Sequence, residues 1–171
     1  MNPSIHQASG KPIAKIMTSW TTQMGFPLVE VVGRSTKADG STTLQLTQKW
    51  FLADGSSPDD RLWTIPLTLT TSQSACGAPV LFTERSFSVD VPAGAAWAKL
   101  NGMQHVPLRV AYDSAGLSAL SAAVAAGQLG AEGECCVRHK KGACESVVCR
   151  GHICAVRSIE LLSFWTVSAI D

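Results

Sequence analysis

Cys136, His139, Cys144 and Cys149 are separated by two, four and four residues, the gaps that small zinc-binding knuckles use. The ligand order differs, however, because a knuckle runs Cys, Cys, His, Cys and here the second and third types are exchanged. Cys135, His152 and Cys154 lie close enough to offer rival ligand sets, and no C-x-x-C pair anchors one choice. The expectation is therefore no metal site. A divergent end, such as an alternative exon, a retained intron or a shifted frame, explains an abrupt loss of pattern more simply. Asp59 and Asp60 form an adjacent carboxylate pair, and such pairs divide acid and base work when a pocket separates their pKa values. Here they stand in GSSPDDR, whose composition is that of a solvent-facing turn. His105, Asp113 and Ser114 supply the side-chain types of a nucleophilic triad, yet no G-x-S-x-G elbow accompanies them. No catalytic, cofactor-binding or metal-binding residue is expected.

The totals narrow the remaining classes. A chain of 171 residues can bury one good core, and 46% hydrophobic against 16% charged residues is the balance of a folded domain. A formal net charge of +1, with no face packed with Lys and Arg, gives no field to attract nucleic acid or an anionic membrane. The longest apolar run, IELLSFWTVSAI, is too short to span a bilayer and contains Glu160, and the first residues lack the apolar stretch of a signal peptide. Cys76 stands alone while the other five cysteines crowd into the tail, unlike a disulfide framework spread across a fold. Reduced thiols and a soluble, cytoplasmic protein are expected.

Two periodicities organise the chain. Ile13, Ile16, Met17, Trp20 and Met24 recur at three- and four-residue intervals, which predicts a helix opened by Pro12 and stopped by Gly25 before Pro27. Its stripe has only a dozen polar residues in front of it, so it must rest on the following domain or on an absent partner. From Pro27 to Asp113 the period becomes two. Val29 and Val31 alternate with Glu30, and Leu44, Leu46 and Trp50 oppose Thr43, Gln45, Thr47 and Lys49. Trp63, Ile65, Leu67 and Leu69 form an inward row, with Pro66 marking an edge or bulge. Further strands are expected at 79–84, 86–91, 97–101 and 107–113. Short strands punctuated by Gly, Pro, Ser and Asp predict a mainly β, immunoglobulin-like antiparallel β-sandwich. Asp113 or Ser114 then caps a helix with Leu117, Leu120 and Val124 on one side, and Gly127 ends it. Beyond Gly130 neither period persists, and the tail is expected to be irregular.

ASGKPIAKIMTSWTTQMGFPLVEV at 8–31 resembles a junction in the puromycin-sensitive and aminopeptidase N family of zinc aminopeptidases, the gluzincins. LQLTQKWFLADG, WTIPLTL, WAKLN and LRVAYD follow in that family's order and at about its spacing. The resemblance covers approximately residues 4–128. Where the family has a Gly and an aromatic before the Arg of its last strand, this chain has HVPLRV at 105–110.

The resemblance implies four parts: 1–26 as the end of a catalytic-domain helix with its junction, 27–113 as the sandwich, 114–130 as the first helix of a helical domain, and 131–171 as the divergent Cys-rich tail. It implies zinc-dependent removal of N-terminal residues from peptides in the parent protein. That chemistry needs H-E-x-x-H, and none of His6, His105, His139 and His152 is followed by Glu. The chain itself is expected to hold no zinc and to be inactive alone. It reads as an inter-domain spacer, or alternatively as a binding or regulatory module whose partner takes the apolar helix face at 13–24. Trp50, Trp63 and Trp97 are assigned to the core, Trp20 to a seam, and Arg109 to a surface or seam pairing.

Overall fold

The computed structural model describes residues 12–52, 60–75 and 77–129, together with the backbone of three short strands beyond them. Helix α1 spans Ile13–Thr21. It is shorter than the 13–24 expected, because Gln23 and Met24 lie in a bend before Gly25 takes a φ of 91°. The first sheet follows from β1 (Pro27–Thr36) and β2 (Thr42–Trp50), a hairpin whose alternate residues Val29, Val31, Leu44 and Leu46 are buried. Its register shifts between Val31 and Gly33, which leaves the outward-facing Val32 without a partner in β2.

Residues 63–71, expected as one strand, divide into β3 (Ile65–Leu67) and β4 (Leu69–Thr71). β3 pairs with β5 (Val80–Phe82) and β4 with β7 (Ala98–Leu100), both antiparallel. Pro66 lies within β3 opposite Leu81, and the break falls after it at Thr68, where the partner changes from β5 to β7. Together these pairs oppose the sheet ordered β6 (Ser86–Val91), β2, β1, β8 (Arg109–Tyr112) and β9 (Val137–His139). The mainly β sandwich is thus present. Two pairings depart from the antiparallel expectation: β1 and β8 run parallel, which the long path through β2 to β7 permits, and β8 and β9 run parallel too.

Between the layers lie Val29, Leu44, Leu46, Trp63, Ile65, Phe82, Leu100, Val110 and Tyr112. Trp63 and Trp97 are buried as expected, and Trp50 packs against the same core from its rim. Gln48, in the middle of β2, is also fully buried. Its side chain donates to the carbonyls of Trp63 (3.1 Å) and Glu84 (2.9 Å) and accepts from the Trp63 amide (2.9 Å), bridging the two layers.

Helix α2 spans Ser114–Ala125, with Asp113 as its N-cap accepting from Gly116 N at 3.0 Å. Leu120 is buried, but the centre of the buried stripe is completed by Gly116 and Ala123 rather than by Leu117 and Val124, which are only partly covered. Gly127 has a φ of 65° just past the helix, as its position suggested. The tail differs from the irregular segment expected, since β9 adds a parallel edge to β8 and β10 (Val147–Cys149) pairs with β11 (His152–Cys154). Three-residue strands are too short to leave a readable period.

Candidate functional site

Among the described residues no group of three or more His, Cys, Asp and Glu side chains is placed to hold a metal ion. Cys135, Cys136, Cys144 and Asp59 lie outside the described residues, as do His6 and Cys76. His139 and Cys149 fall in separate strands, β9 and β10. Asp60 is fully exposed and meets Arg85 at 2.9 Å. His105 and Ser114 are exposed. Asp113, the middle member of the imagined triad, is committed elsewhere: both its oxygens accept from Arg34, at 2.8 and 2.9 Å, while it caps α2. The guanidinium hydrogen bonds hold its carboxyl below the usual carboxylate range, and the same bonds raise Arg34. This is a structural ion pair at a helix start. No helix among the described residues is long and apolar enough to cross a membrane.

What the fold does build is a seam between α1 and the sandwich. The sequence rule that put Trp20 on an apolar stripe places its indole 6.4 Å from Trp63, tilted by 50°, with its N–H donating to the Thr64 carbonyl at 3.0 Å. One residue back, Ser19 Oγ accepts from the Thr64 amide at 2.9 Å. One turn on, Gln23 Nε2 donates to the Leu62 carbonyl at 2.9 Å. The backbone of residues 62–64, just ahead of β3, thereby finds donors and acceptors on the helix and the bend that follows it. The connection is clamped as well. Arg61 donates to the Met24 carbonyl at 2.9 Å, and its guanidinium lies 3.8 Å above the Trp50 ring. Phe26 stacks on Phe51 with centroids 5.1 Å apart.

Gly25 fits this clamp for two reasons. Its φ of 91° strains any residue with a Cβ, and that atom would lie 2.2 Å from the Trp50 indole nitrogen. Anchoring on one side leaves the other open: Met17 is 47% and Met24 74% exposed. The stripe read from the sequence as one face is therefore split, with Trp20 turned to the sandwich and the two methionines to solvent. Ser19 and Gln23 were missed by sequence reasoning because polar residues do not register in a hydrophobic period, although each lies three or four positions from an apolar member. Arg109 is exposed at the start of β8, opposite Leu28 in register.

No protein-family model matches the chain. It is 31% identical to aminopeptidase 2 of Candida albicans over 169 residues, covering 95% of this chain and 17% of that protein. It is 30% identical to puromycin-sensitive aminopeptidase of Caenorhabditis elegans over 123 residues, 68% of this chain and 13% of that protein. It is 31% identical to aminopeptidase M1-B of rice (Oryza sativa subsp. japonica) over 136 residues, 73% of this chain and 15% of that protein. The chain thus spans about one sixth or less of the length of these curated relatives. Coverage of 95% carries the similarity past Gly130, where the sequence resemblance was expected to stop. By similarity running through the helix, the sandwich and their flanks, the chain belongs to the aminopeptidase family of these relatives, as the counterpart of a small part of each.

Proposed function

We propose that this chain is the inter-domain β-sandwich spacer of a zinc-dependent aminopeptidase, a protein that removes N-terminal residues from peptides in the cytoplasm. The supporting observation is the two-sided segment made of α1 and the bend after it, fixed to the sandwich through Trp20, Ser19 and Gln23 and open at Met17 and Met24. A helix held this way transmits the sandwich's orientation to whatever covers its methionines. The sequence has no H-E-x-x-H, and among the described residues no ligand set for zinc comes together. The zinc site is accordingly assigned to the catalytic domain of the parent, and the chain alone is inactive. Nucleic acid and membrane are left out of the reading on the near-neutral charge and the lack of a long apolar run.

The test is a titration of the chain with a purified catalytic domain from one of the related aminopeptidases. Saturable binding that the double change Met17→Asp and Met24→Asp weakens at least roughly tenfold, as removal of central apolar anchors does, supports the spacer. No binding, or binding indifferent to those changes, contradicts it. The alternative, a regulatory module, draws on the same exposed methionines but attaches to an intact aminopeptidase, whose own sandwich already covers the docking face in the spacer reading. Binding to intact enzyme as tight as to the isolated domain favours the module.

A further inference from the structure

The loop between β7 and β8 joins two residues that chemistry keeps apart in durable proteins, Asn101 and Gly102. Structure explains the pairing. Asn101 has a φ of 53°, a left-handed conformation that Asn tolerates better than most residues. Its amide side chain donates from Nδ2 to the Val106 carbonyl at 2.8 Å and accepts at Oδ1 from the Val106 amide at 3.3 Å, so it closes the loop as a backbone strand would. Gly102 is demanded by packing, since an added Cβ would fall 1.7 Å from Thr70 Oγ1. Neither residue can be exchanged for a safer one without losing the loop.

We propose that Asn101 is a fold-gated deamidation site, silent while the loop is closed and reactive once it opens. In the reaction the Gly102 amide nitrogen, its proton lost to solvent base, attacks Asn101 Cγ. The Cγ–Nδ2 bond breaks and ammonia leaves with a proton from solvent. Water then opens the resulting five-membered imide, giving Asp or isoaspartate with no change of oxidation state. In the closed loop both polar atoms of the Asn101 amide are held by Val106. The Asn101 amide donates to the Thr68 carbonyl (2.8 Å), and the Asn101 carbonyl accepts from Gln104 N (2.8 Å). Lys99, itself buried, donates from Nζ to the Gly102 carbonyl at 3.0 Å and to the Asn101 carbonyl at 3.4 Å. Attack requires these bonds to part, so only the open fraction reacts.

The gate also closes behind the reaction. A carboxylate at 101 sets a charged acceptor against the Val106 carbonyl, where the amide had offered a donor, and at a buried position the repulsion is not relieved by water. Chains that have once opened and reacted are marked and cannot re-form the loop. The readout is clean, because the other asparagine, Asn2, precedes Pro3, whose nitrogen carries no proton to lose.

The test incubates the natural chain at mildly alkaline pH, folded or in concentrated urea, and follows conversion at 101 by mass spectrometry of the peptides. Conversion roughly tenfold or more slower in the folded chain is expected, since it scales with the open fraction. Equal rates overturn the gate. Asn101→Asp should lower the melting temperature or prevent folding, whereas an unchanged melting temperature overturns the claim that the product cannot close the loop.

Discussion

Gln48 and Asp113 carry more of this fold than their composition suggests. Gln48 makes three hydrogen bonds to backbone across the sandwich, and its truncation leaves two carbonyls and one amide without partners inside the core. Gln48→Ala should therefore cost about 3 kcal/mol, from one to three such orphaned groups plus a cavity, measured by urea unfolding. A loss under ~0.5 kcal/mol would show that water replaces the amide easily. Asp113 joins a helix cap to an ion pair. Its folded-state pKa lies below the unfolded value, so its contribution is complete above the ordinary carboxylate range and fades as pH falls through the depressed value. Asp113→Asn should keep most of the cap and flatten the acid limb of the stability profile. Asp113→Ala should lose about 1–2 kcal/mol at neutral pH, since cap and partly exposed pair go together. Asp39 and Asp90 are also lowered, by hydrogen bonds from Ser41 and from Lys37 and Thr43, so some acid sensitivity remains in either variant. Tyr112 lies outside this range, because burial raises its hydroxyl, which accepts from Leu100 N at 2.8 Å.

At the scale of elements, what the sequence revealed depended on whether one apolar period ran uninterrupted. β6 begins and ends where SFSVDV does, and α2 takes as its cap Asp113, one of the two residues the sequence offered. The 63–71 row read as one strand because its inward residues alternate throughout, whereas the break into β3 and β4 is decided by partners on opposite sides, β5 and β7. No local pattern records that. Gln48, Ser19 and Gln23 were illegible for a related reason: their role comes from backbone groups distant in sequence, which give a polar residue no periodic mark. α1 shows the same limit, because its stripe was real but its two outward methionines could be told from Trp20 only by knowing where residues 62–64 run. This predicts opposite outcomes on one helix. Trp20→Ala should free α1, seen as faster hydrogen exchange through 13–21, with loss of about 2–3 kcal/mol of packing. Met17→Asp and Met24→Asp should leave stability within about 0.5 kcal/mol, as exposed substitutions do.

For the whole molecule, the proposed spacer role rests on the two-sided seam and on a similarity to a small part of each aminopeptidase. The relatives are several times longer than the matched segment, and the part this chain represents contains a core, a clamped helix and a helical exit, with Asp60, Asp90 and Asp113 used for ion pairs and a cap. The Arg61, Trp50 and Gly25 clamp gives the seam its stiffness, so Gly25→Ala should loosen it at a cost of more than ~1 kcal/mol while leaving the sandwich folded. The claim that matters most is that this segment positions chemistry without performing it. The direct measurement is hydrolysis of an amino-acid amide by the purified chain supplied with zinc. No turnover above the zinc-containing buffer is predicted, and zinc-dependent turnover that stays with the chain through successive purification steps would contradict the account.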